Sequence, residues 1–561
     1  MTILTVDRKE FEKKVGKISA ELEKKITDMG TPIEEVTDDE VSVEVFPNRP
    51  DLLSLGNFAR AVNQFNGKKG IAKFKIKSSG EKLIVEKSLP KEWPYALACI
   101  VKGIKFDDEK IKQVIDVQEK LGASVLRKRR RGGIGLYPLE KIEFPIKFVG
   151  KKPEDIKFRP LEFPREITGR QILSQHPTGR EYAEICKDWD VFPIFVDNKG
   201  TIMSMPPIIN SHEVGRIDET TKDVFLEATG DNLVTLQKAF NIMVSSLIEM
   251  GGQVHSIDCK QQDGKVLSVP DMSAEEMGFG IEDIERTLGI KLSEKDVAGY
   301  LARMGIGYDS KKGVALIPAY RTDILHWVDL AEEVAIAYGY DKFVPEIPEI
   351  STIAYENPAD RTKRVIGNVL AGLGLLETSS FHLTTKKNVK KMHYEFNDFI
   401  EVEDSKTERD VLRIDMLTNL LQIASENSDA AYPQKIFEMG RVFSKGESET
   451  GVIEDERLAA LMIDESINFT EMKQVVDYLF KMLDVEYSIE NVDNSNYIIG
   501  RCGKIIVGGA ARGIPSKEGT KVPSSSGKDV GFIGELAPRV LKNWKVKMPA
   551  VAFEIDMGFL G

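Results

Sequence analysis

Cysteine is scarce in this sequence, and the few cysteines lie far apart. The chain has 561 residues and four cysteines, Cys99, Cys186, Cys259 and Cys502, with no Cys-x-x-Cys pair. Zinc sites and disulfide frameworks need closely spaced or numerous cysteines, so the sequence indicates neither. We therefore expect a reducing, cytoplasmic setting.

Long apolar runs and an excess of positive charge are also missing. No run of about 18 uninterrupted apolar residues occurs, so no membrane span is predicted. The first residues, MTILTVDRKEFEKKVGK, are charged throughout, unlike a secretory signal peptide. The formal net charge of -12 argues against binding nucleic acid through overall charge, although a local basic patch could still do so.

The length and composition are those of a multidomain globular protein. With 42% hydrophobic and 30% charged residues, the chain has the composition of an ordinary soluble globular protein. The mixture of helix and strand patterns along the chain predicts an α+β fold. Its length predicts roughly three to five domains. We interpret the lysine-rich stretch 67–87 as a linker or domain edge. The predicted domains are an N-terminal α/β domain (1–85), a mixed α/β domain (86–265), a small helical domain (270–346) and a C-terminal domain (351–561).

Four carboxylates stand close together in PAYRTDILHWVDLAEEVAIAYGY, residues 318–340. The spacing predicts a helix from about Leu325 to Tyr338, with Thr322 or Asp323 as its N-cap. Three acids then share one face, and no lysine or arginine lies inside the cluster. One interpretation is a capped helix with a solvated acidic face. The other is a Mg²⁺ site, because hard cations prefer oxygen ligands. The four acids are Asp323, Asp329, Glu332 and Glu333.

A basic run, RKRRR, occupies residues 127–131. Such a run is commonly a solvated loop. In an acidic chain it could also attract the phosphates of an RNA end, since charge neutralisation dominates nucleic-acid affinity. A nuclear-localisation signal is a weaker third interpretation.

Two further motifs, MSMPPIIN and FLEATG, carry polar residues in apolar surroundings. Asn210 ends the first and is readily explained as a turn residue. Ser211 and His212 are adjacent and make a poor nucleophile–base pair, so no catalytic triad is indicated. Glu227 stands in an apolar strand pattern and needs a partner. A phenol hydroxyl from a ligand would serve.

Several of these motifs resemble one known family. R-x-D-I-x-x-x-x-D-L-x-E-E followed by A-Y-G-Y-D is similar to the metal-binding domain of phenylalanyl-tRNA synthetase β subunits. EVFPNRPDLLSLGNFARAV resembles the N-terminal block of that family, and GLGLLETSSFHLTT and KIFEMGRVF resemble its C-terminal domain. The order of the motifs covers nearly the whole chain, whose length matches the archaeal/eukaryotic form. One departure is Tyr137–Pro138, where members commonly have His-Asp.

The resemblance implies specific sites. It assigns Mg²⁺ to the four acids, near the contact with the α subunit. It makes residues 86–265 an editing domain that hydrolyses mischarged tyrosyl-tRNA, with Glu227 accepting the tyrosyl hydroxyl and a positioned water as nucleophile. The implied editing pocket comprises Gln118, Arg129, Phe195, Ser204, Asn210, Glu227 and Thr229.

The resemblance also implies a division of labour between subunits. The C-terminal domain would be a class II synthetase-like antiparallel-sheet domain, and it lacks the arginine-bearing third signature. No catalytic residue for aminoacylation is therefore expected here. The α subunit would perform ATP-dependent charging of tRNA(Phe) in an α2β2 heterotetramer. The alternatives are a scaffolding, tRNA-binding subunit with inactive editing and a free-standing editing hydrolase.

Overall fold

The computed structural model describes residues 2–68, 70–403, 405–508 and 527–560. The chain divides into two units, Met1–Ile347 and Pro348–Gly561. Among the described residues, no helix is both long and apolar enough to cross a bilayer.

The first unit begins with a three-stranded antiparallel sheet flanked by helices. The alternating pattern VSVEV buries every second residue and forms the central strand, so the order is β1-β3-β2. The third helix follows the PNRPD turn, and Ser54 caps it by accepting a hydrogen bond from the Asn57 N–H. The elements are β1 (Thr2–Asp7), α1 (Arg8–Lys14), α2 (Ala20–Asp28), β2 (Ile33–Val36), β3 (Glu40–Val45) and α3 (Leu55–Phe65).

A ten-stranded mixed sheet forms the middle of the first unit. Its strands are β4 (Lys77–Val85), β5 (Tyr95–Lys102), β6 (Gly132–Pro138), β7 (Ile146–Lys151), β10 (Phe192–Val196), β11 (Ile202–Met205), β12 (Ile209–Asn210), β13 (Val224–Gly230), β14 (Gln253–Lys260) and β15 (Val266–Val269). The order is β12-β11-β10-β7-β4-β14-β5-β13-β6, and β15 pairs with β14. A small hairpin, β8 (Lys157–Phe158) with β9 (Ile167–Thr168), lies outside it.

Five helices accompany this sheet. The longest, α8, packs against β13 and β5, and its buried residues include Leu236 and Phe240. The helices are α4 (Asp108–Ala123), α5 (Gly169–Gln175), α6 (Pro177–Glu181), α7 (Ala183–Cys186) and α8 (Leu233–Glu249).

The sheet corrects the interpretation of residues 67–87 as a linker. Strand β4 lies inside that stretch and pairs in parallel with both β14 and β7. Its alternation is weak at the start, KSSGEK, which is why composition alone suggested a linker. Only Leu83 and Val85 are buried in it.

The block that contains the four acids ends the first unit. It was predicted to be helical, but it also holds a three-stranded antiparallel sheet of order β16-β18-β17. Its elements are β16 (Glu275–Gly278), α9 (Ile281–Leu288), α10 (Glu294–Arg303), β17 (Gly307–Asp309), β18 (Val314–Ile317) and α11 (Trp327–Tyr338).

The second unit is built on a seven-stranded sheet of order β19-β22-β23-β27-β26-β25-β24. Its described pairs are antiparallel except β19 with β22. The strands are β19 (Leu376–Glu377), β20 (Leu383–Thr384), β21 (Val411–Leu412), β22 (Gln434–Lys445), β23 (Val452–Ile463), β24 (Tyr487–Asn491), β25 (Tyr497–Val507), β26 (Lys528–Leu536) and β27 (Ala550–Asp556). The helices are α12 (Pro358–Gly372), α13 (Lys386–Met392), α14 (Leu417–Glu426), α15 (Phe469–Met482) and α16 (Pro538–Trp544).

Candidate functional site

Glu227 lies on a strand that is buried along its whole length. All seven residues of β13 are buried, and the Glu227 side chain is only 3% exposed. The strand runs between β5 and β6, so Glu227 faces Gly135 across one ladder. A Cβ at position 135 would collide with the Glu227 carboxyl group. The glycine therefore leaves the space that the carboxyl group occupies.

Tyr137 supplies the partner that the buried carboxyl group needs. It follows two residues after Gly135 on β6 and is fully buried, with its ring 5.9 Å from that of Phe225. Its Oη lies 3.2 Å from Glu227 Oε1 and 3.2 Å from Asn210 Oδ1. A hydroxyl carries one proton, so Tyr137 donates to one of these oxygens at a time.

Burial changes the acidity of this pair. Removal from water raises the pKa of Glu227 to about 8, although the hydrogen bond from Tyr137 opposes the change. Burial and the neighbouring carboxyl group raise the pKa of the Tyr137 phenol well above its usual value. At neutral pH the Glu227 carboxyl group is thus mostly protonated.

A cleft of about 590 Å³ borders this group. Four of the seven residues assigned to an editing pocket by resemblance line it: Gln118, Arg129, Asn210 and Glu227. Gln118 on α4 donates from Nε2 to the carbonyl oxygen of Ile134 at 2.5 Å. The cleft therefore brings α4, β6, β12 and β13 together around one space.

Arg129 reaches the cleft from an unusual turn. Arg127, Lys128 and Arg129 have φ values of 47°, 53° and 62°, in the left-handed region that costs non-glycine residues energy. The Arg129 guanidinium donates to the Ile208 carbonyl at 3.2 Å and pairs with Glu119 at 2.9 Å. Its charge also lies 4.5 Å above the centre of the Tyr182 ring. One residue of the basic run, Arg129, therefore forms part of the cleft wall.

The other three predicted pocket residues lie behind the cleft wall. Phe195, Ser204 and Thr229 are at most 1% exposed and are not among the lining residues. Phe195 stacks on Phe148 at 4.6 Å, as a core residue does. Ser204 pairs in register with Asn210 across β11 and β12. The hydroxyl of Thr229 and Glu227 Oε2 are buried without a hydrogen-bond partner.

Ser211 has a carboxylate as its hydrogen-bond partner. Ser211 donates from Oγ to Glu213 at 3.0 Å rather than to its neighbour His212. Tyr137 and Gly135, by contrast, escaped prediction as site residues. The departure from the family pattern at Tyr137–Pro138 could have marked Tyr137 as a site residue.

The four acids of residues 318–340 do not converge on one point. Arg321, only 2% exposed, holds two of them. Its Nε and Nη2 bind the two oxygens of Asp323 at 2.8 and 2.7 Å, and Nη2 also lies 2.9 Å from Glu333 Oε1. Burial alone would raise the pKa of Asp323, but Arg321 outweighs it and lowers that pKa. The prediction that no cation relieves these acids is wrong, because Arg321 turns back into the cluster.

The other two acids have different surroundings. Asp329 Oδ2 accepts hydrogen bonds from the Leu325 and His326 N–H groups, both at 2.7 Å, and Glu332 is exposed. The helix begins at Trp327 with His326 as its N-cap, so the predicted caps Thr322 and Asp323 are wrong. Asp329 completes a capping box, which explains its place in the first turn.

This donor set does not fit Mg²⁺ as arranged. Arg321 and backbone N–H groups engage three of the four predicted ligands. No group of three or more His, Cys, Asp or Glu residues in the described ranges is placed to hold a metal ion. The assignment of Mg²⁺ to these acids stays a prediction.

The second unit has its own polar cavity, of about 340 Å³. His393 Nε2 lies 2.6 Å from Asp415 Oδ2, and Glu554 accepts hydrogen bonds from the N–H groups of Met416 and Leu417 at the start of α14. Arg457 pairs with Glu554 at 3.1 Å. His393 and Arg457 thus each have an acidic partner, whereas Arg457 Nε is buried without a hydrogen-bond partner.

Comparison with known proteins places both units in one class. Residues 277–340 match the family model described as tRNA synthetase B5 domain, and residues 345–557 match that of the phenylalanyl tRNA synthetase beta chain CLM domain. The fold and these matches define an aminoacyl-tRNA synthetase component.

Full-length relatives identify the family. The phenylalanine–tRNA ligase beta subunit of Pyrococcus horikoshii is 35% identical over 91% of this chain and 89% of its own length. That of Archaeoglobus fulgidus is 32% identical over 99% of this chain and 98% of its own. The chain belongs to the phenylalanine–tRNA ligase β subunit family.

A solved structure supports the same assignment for the first part of the chain. An N-terminal fragment of the phenylalanyl-tRNA synthetase β-subunit from Pyrococcus horikoshii is 30% identical and has a TM-score of 0.58. The match covers 60% of this chain and 99% of the fragment.

Proposed function

We propose that this chain acts as the β subunit of a phenylalanine–tRNA ligase, in which a separate α chain carries the aminoacylation site. The observation that carries this is the similarity to named β subunits over both units, up to 99% of the chain. The ligase would attach phenylalanine to tRNA(Phe) at the expense of ATP, and the two chains would form an α2β2 heterotetramer.

An exposed apolar segment supports a partner chain. Residues 344–355 lie between the last element of the first unit and α12, and their large apolar side chains point into solvent. Val344, Ile347, Ile350, Ile353 and Tyr355 are each 77–99% exposed. Exposed apolar side chains grouped in this way typically mark a protein interface.

Co-purification tests the assembly. A tagged chain expressed with a class II α chain should recover that chain in equal amount and charge tRNA with phenylalanine. The double variant Ile350→Asp/Ile353→Asp should recover much less, because it places charge in the contact. Val266→Asp, at a 55% exposed site on β15, is the matched control and should assemble normally. Equal recovery of all three proteins would contradict the proposed contact.

We further propose that the cleft beside Glu227 receives the aminoacyl end of mischarged tyrosyl-tRNA. An apolar synthetic site cannot strongly reject an amino acid that adds only a hydroxyl, so a second, hydroxyl-demanding site is useful. Asn210 and Glu227 support this, because one oxygen from each is placed to hydrogen-bond a single phenol oxygen. Without a protein nucleophile, hydrolysis would use a water positioned at the ester.

One observation favours a second candidate, a subunit whose editing is weak. The phenol oxygen that meets Asn210 and Glu227 belongs to Tyr137 of the chain itself. Glu227→Ala in the assembled ligase separates the candidates. If the cleft edits, this variant should clear tyrosyl-tRNA(Phe) more slowly than the unaltered ligase. If editing is absent, both should clear it at the uncatalysed rate.

A further inference from the structure

We propose that Tyr137 is a built-in occupant of the hydroxyl-recognition position, so the chain's own phenol stands where the tyrosyl hydroxyl of a substrate would bind. This inference rests on the proposed editing function and concerns the regulation of that site. Tyr137 would therefore set how strongly the cleft accepts a tyrosyl group.

Three separate elements build the recognition position. Asn210 comes from β12, Glu227 from β13 and Tyr137 from β6. The two acceptor residues are 73 and 90 residues from Tyr137 in the chain, yet both lie 3.2 Å from its Oη. A carboxyl group and an amide that both lie within hydrogen-bond distance of one phenol oxygen can recognise a phenol.

The backbone beneath the position is shaped for the same contact. Tyr137 and Gly135 lie two residues apart on β6, on the same face of the strand. A Cβ at Gly135 would lie 2.8 Å from Tyr137 Oη and would strike Glu227 Oε1. Because Gly135 has no side chain, the phenol of Tyr137 can pass over this residue and approach the Glu227 carboxyl group on β13.

Packing alone does not account for the hydroxyl. A phenylalanine would make the same ring contact with Phe225, since only the ring takes part in it. The hydroxyl instead lies within hydrogen-bond distance of Asn210 Oδ1 and Glu227 Oε1. Burying either oxygen without a partner would cost free energy. Glu227 Oε2 and the Thr229 hydroxyl remain without partners. The Glu227 carboxyl group thus keeps one oxygen that Tyr137 does not satisfy.

The occupant leaves the rest of the cleft open. Tyr137 is fully buried and is not among the lining residues, whereas Gln118 and Arg129 line the remaining space. An incoming aminoacyl end can therefore enter, but its phenol meets an occupied position. If Tyr137 leaves in roughly 1–10% of molecules, the apparent affinity for a tyrosyl group falls about 10- to 100-fold.

Binding of a free phenol tests the occupant directly. In the full chain, Tyr137→Val opens the position, and p-cresol should then bind and raise the unfolding temperature, whereas toluene should do so far less. The unaltered chain should respond to neither. Tyr320→Val is the matched control, because Tyr320 is also a buried tyrosine but packs against Arg60 and Phe74. It should not favour p-cresol over toluene.

The result that overturns the proposal is equally specific. Equal binding of p-cresol and toluene to Tyr137→Val would show that Asn210 and Glu227 do not read a hydroxyl. Equal binding of p-cresol to the unaltered chain would show that the position is not occupied. If Tyr137→Val fails to fold, recovery of folded protein on refolding with p-cresol but not with toluene supports the proposal, and no recovery with either overturns it.

Deacylation by the assembled ligase separates this inference from the proposed function. Tyr137→Val should clear tyrosyl-tRNA(Phe) roughly 10- to 100-fold faster than the unaltered ligase. The double variant Tyr137→Val/Glu227→Ala should lose that gain. If p-cresol binds Tyr137→Val selectively but the deacylation rate does not change, the role of Tyr137 as occupant is supported and the proposed editing function is contradicted. If p-cresol does not bind selectively, the occupant itself is refuted, whatever the deacylation rate.

Discussion

Two buried glutamates of the first unit, Glu227 and Glu333, meet the same physical problem with different partners. Glu333 is 5% exposed and lies 2.9 Å from the Arg321 guanidinium, which also holds Asp323. Glu227 is 3% exposed and has a phenol and an amide around it, with no cation in contact. One is paired by charge and the other mainly by neutral hydrogen bonds.

The difference separates a structural cluster from a recognition site. In the Arg321 cluster one guanidinium contacts two acids, Asp323 and Glu333, and occupies oxygens that an added cation would need. Burial raises the pKa of Glu333 even so, against the opposing attraction of Arg321. The Glu227 group stays mostly uncharged near neutrality, and its hydrogen-bond partner is the phenol of Tyr137. Each prediction below perturbs one side of this comparison.

Arg321→Ala should have the largest effect. It leaves the buried carboxylates Asp323 and Glu333 without their cation, so we expect a loss of about 3–5 kcal/mol in the free energy of unfolding. Urea unfolding followed by circular dichroism measures it. Arg286→Ala is the control, because Arg286 pairs with Asp283 at a 75% exposed side chain and should cost at most about 1 kcal/mol. Equal losses of unfolding free energy in Arg321→Ala and Arg286→Ala would show that the buried cluster contributes no more than an exposed ion pair.

Glu227 should make stability depend on pH. Its pKa is about 8 in the folded chain and 4.5 as its ordinary value, so the folded state binds more protons between these limits. The contribution is full below about pH 4.5 and is lost as pH rises towards 8. The slope approaches about 1.4 kcal/mol per pH unit. Unfolding free energies of the unaltered chain and Glu227→Gln, measured from acid to mildly alkaline pH, should diverge accordingly. Parallel curves would refute a buried, protonated Glu227.

Tyr137→Phe should cost less, because the ring contact with Phe225 remains. Asn210 Oδ1 and Glu227 Oε1 lose their hydroxyl, which costs about 1–3 kcal/mol for an unsatisfied buried group. Thermal unfolding compared with Tyr320→Phe isolates the hydroxyl at position 137. A loss no greater than that of the control would mean that the contact contributes nothing.

Asp329→Ala should have the smallest effect. It removes the acceptor for two N–H groups at the start of α11, worth about 1 kcal/mol for a helix cap. Glu332→Ala, at the exposed neighbour, should change stability by less than about 0.5 kcal/mol. Addition of Mg²⁺ should leave both unfolding temperatures unchanged. A Mg²⁺-dependent gain in the unaltered chain that Asp329→Ala abolishes would restore the metal interpretation.

Local patterns predicted much of the secondary structure but failed where partners came from afar. The alternation in VSVEV and the apolar spacing after PNRPD gave β3 and α3 nearly as observed. The weakly patterned KSSGEK gives no strand signal, although it begins a strand of the large sheet. Resemblance led to four of the residues that line the cleft, and no periodicity in the sequence would have grouped them.

The sequence by itself determined the family, the apolar strand that carries Glu227 and the helix that carries Asp329 and Glu333. These follow from residue order and from side-chain periods of two and 3.6, which act over a few neighbours. Tertiary structure alone decided the partners. Arg321 turns inward because Asp323 and Glu333 surround its guanidinium. Tyr137 meets Glu227 because β6 pairs in register with β13 over Gly135. Such contacts depend on distances through space, which residue order does not specify.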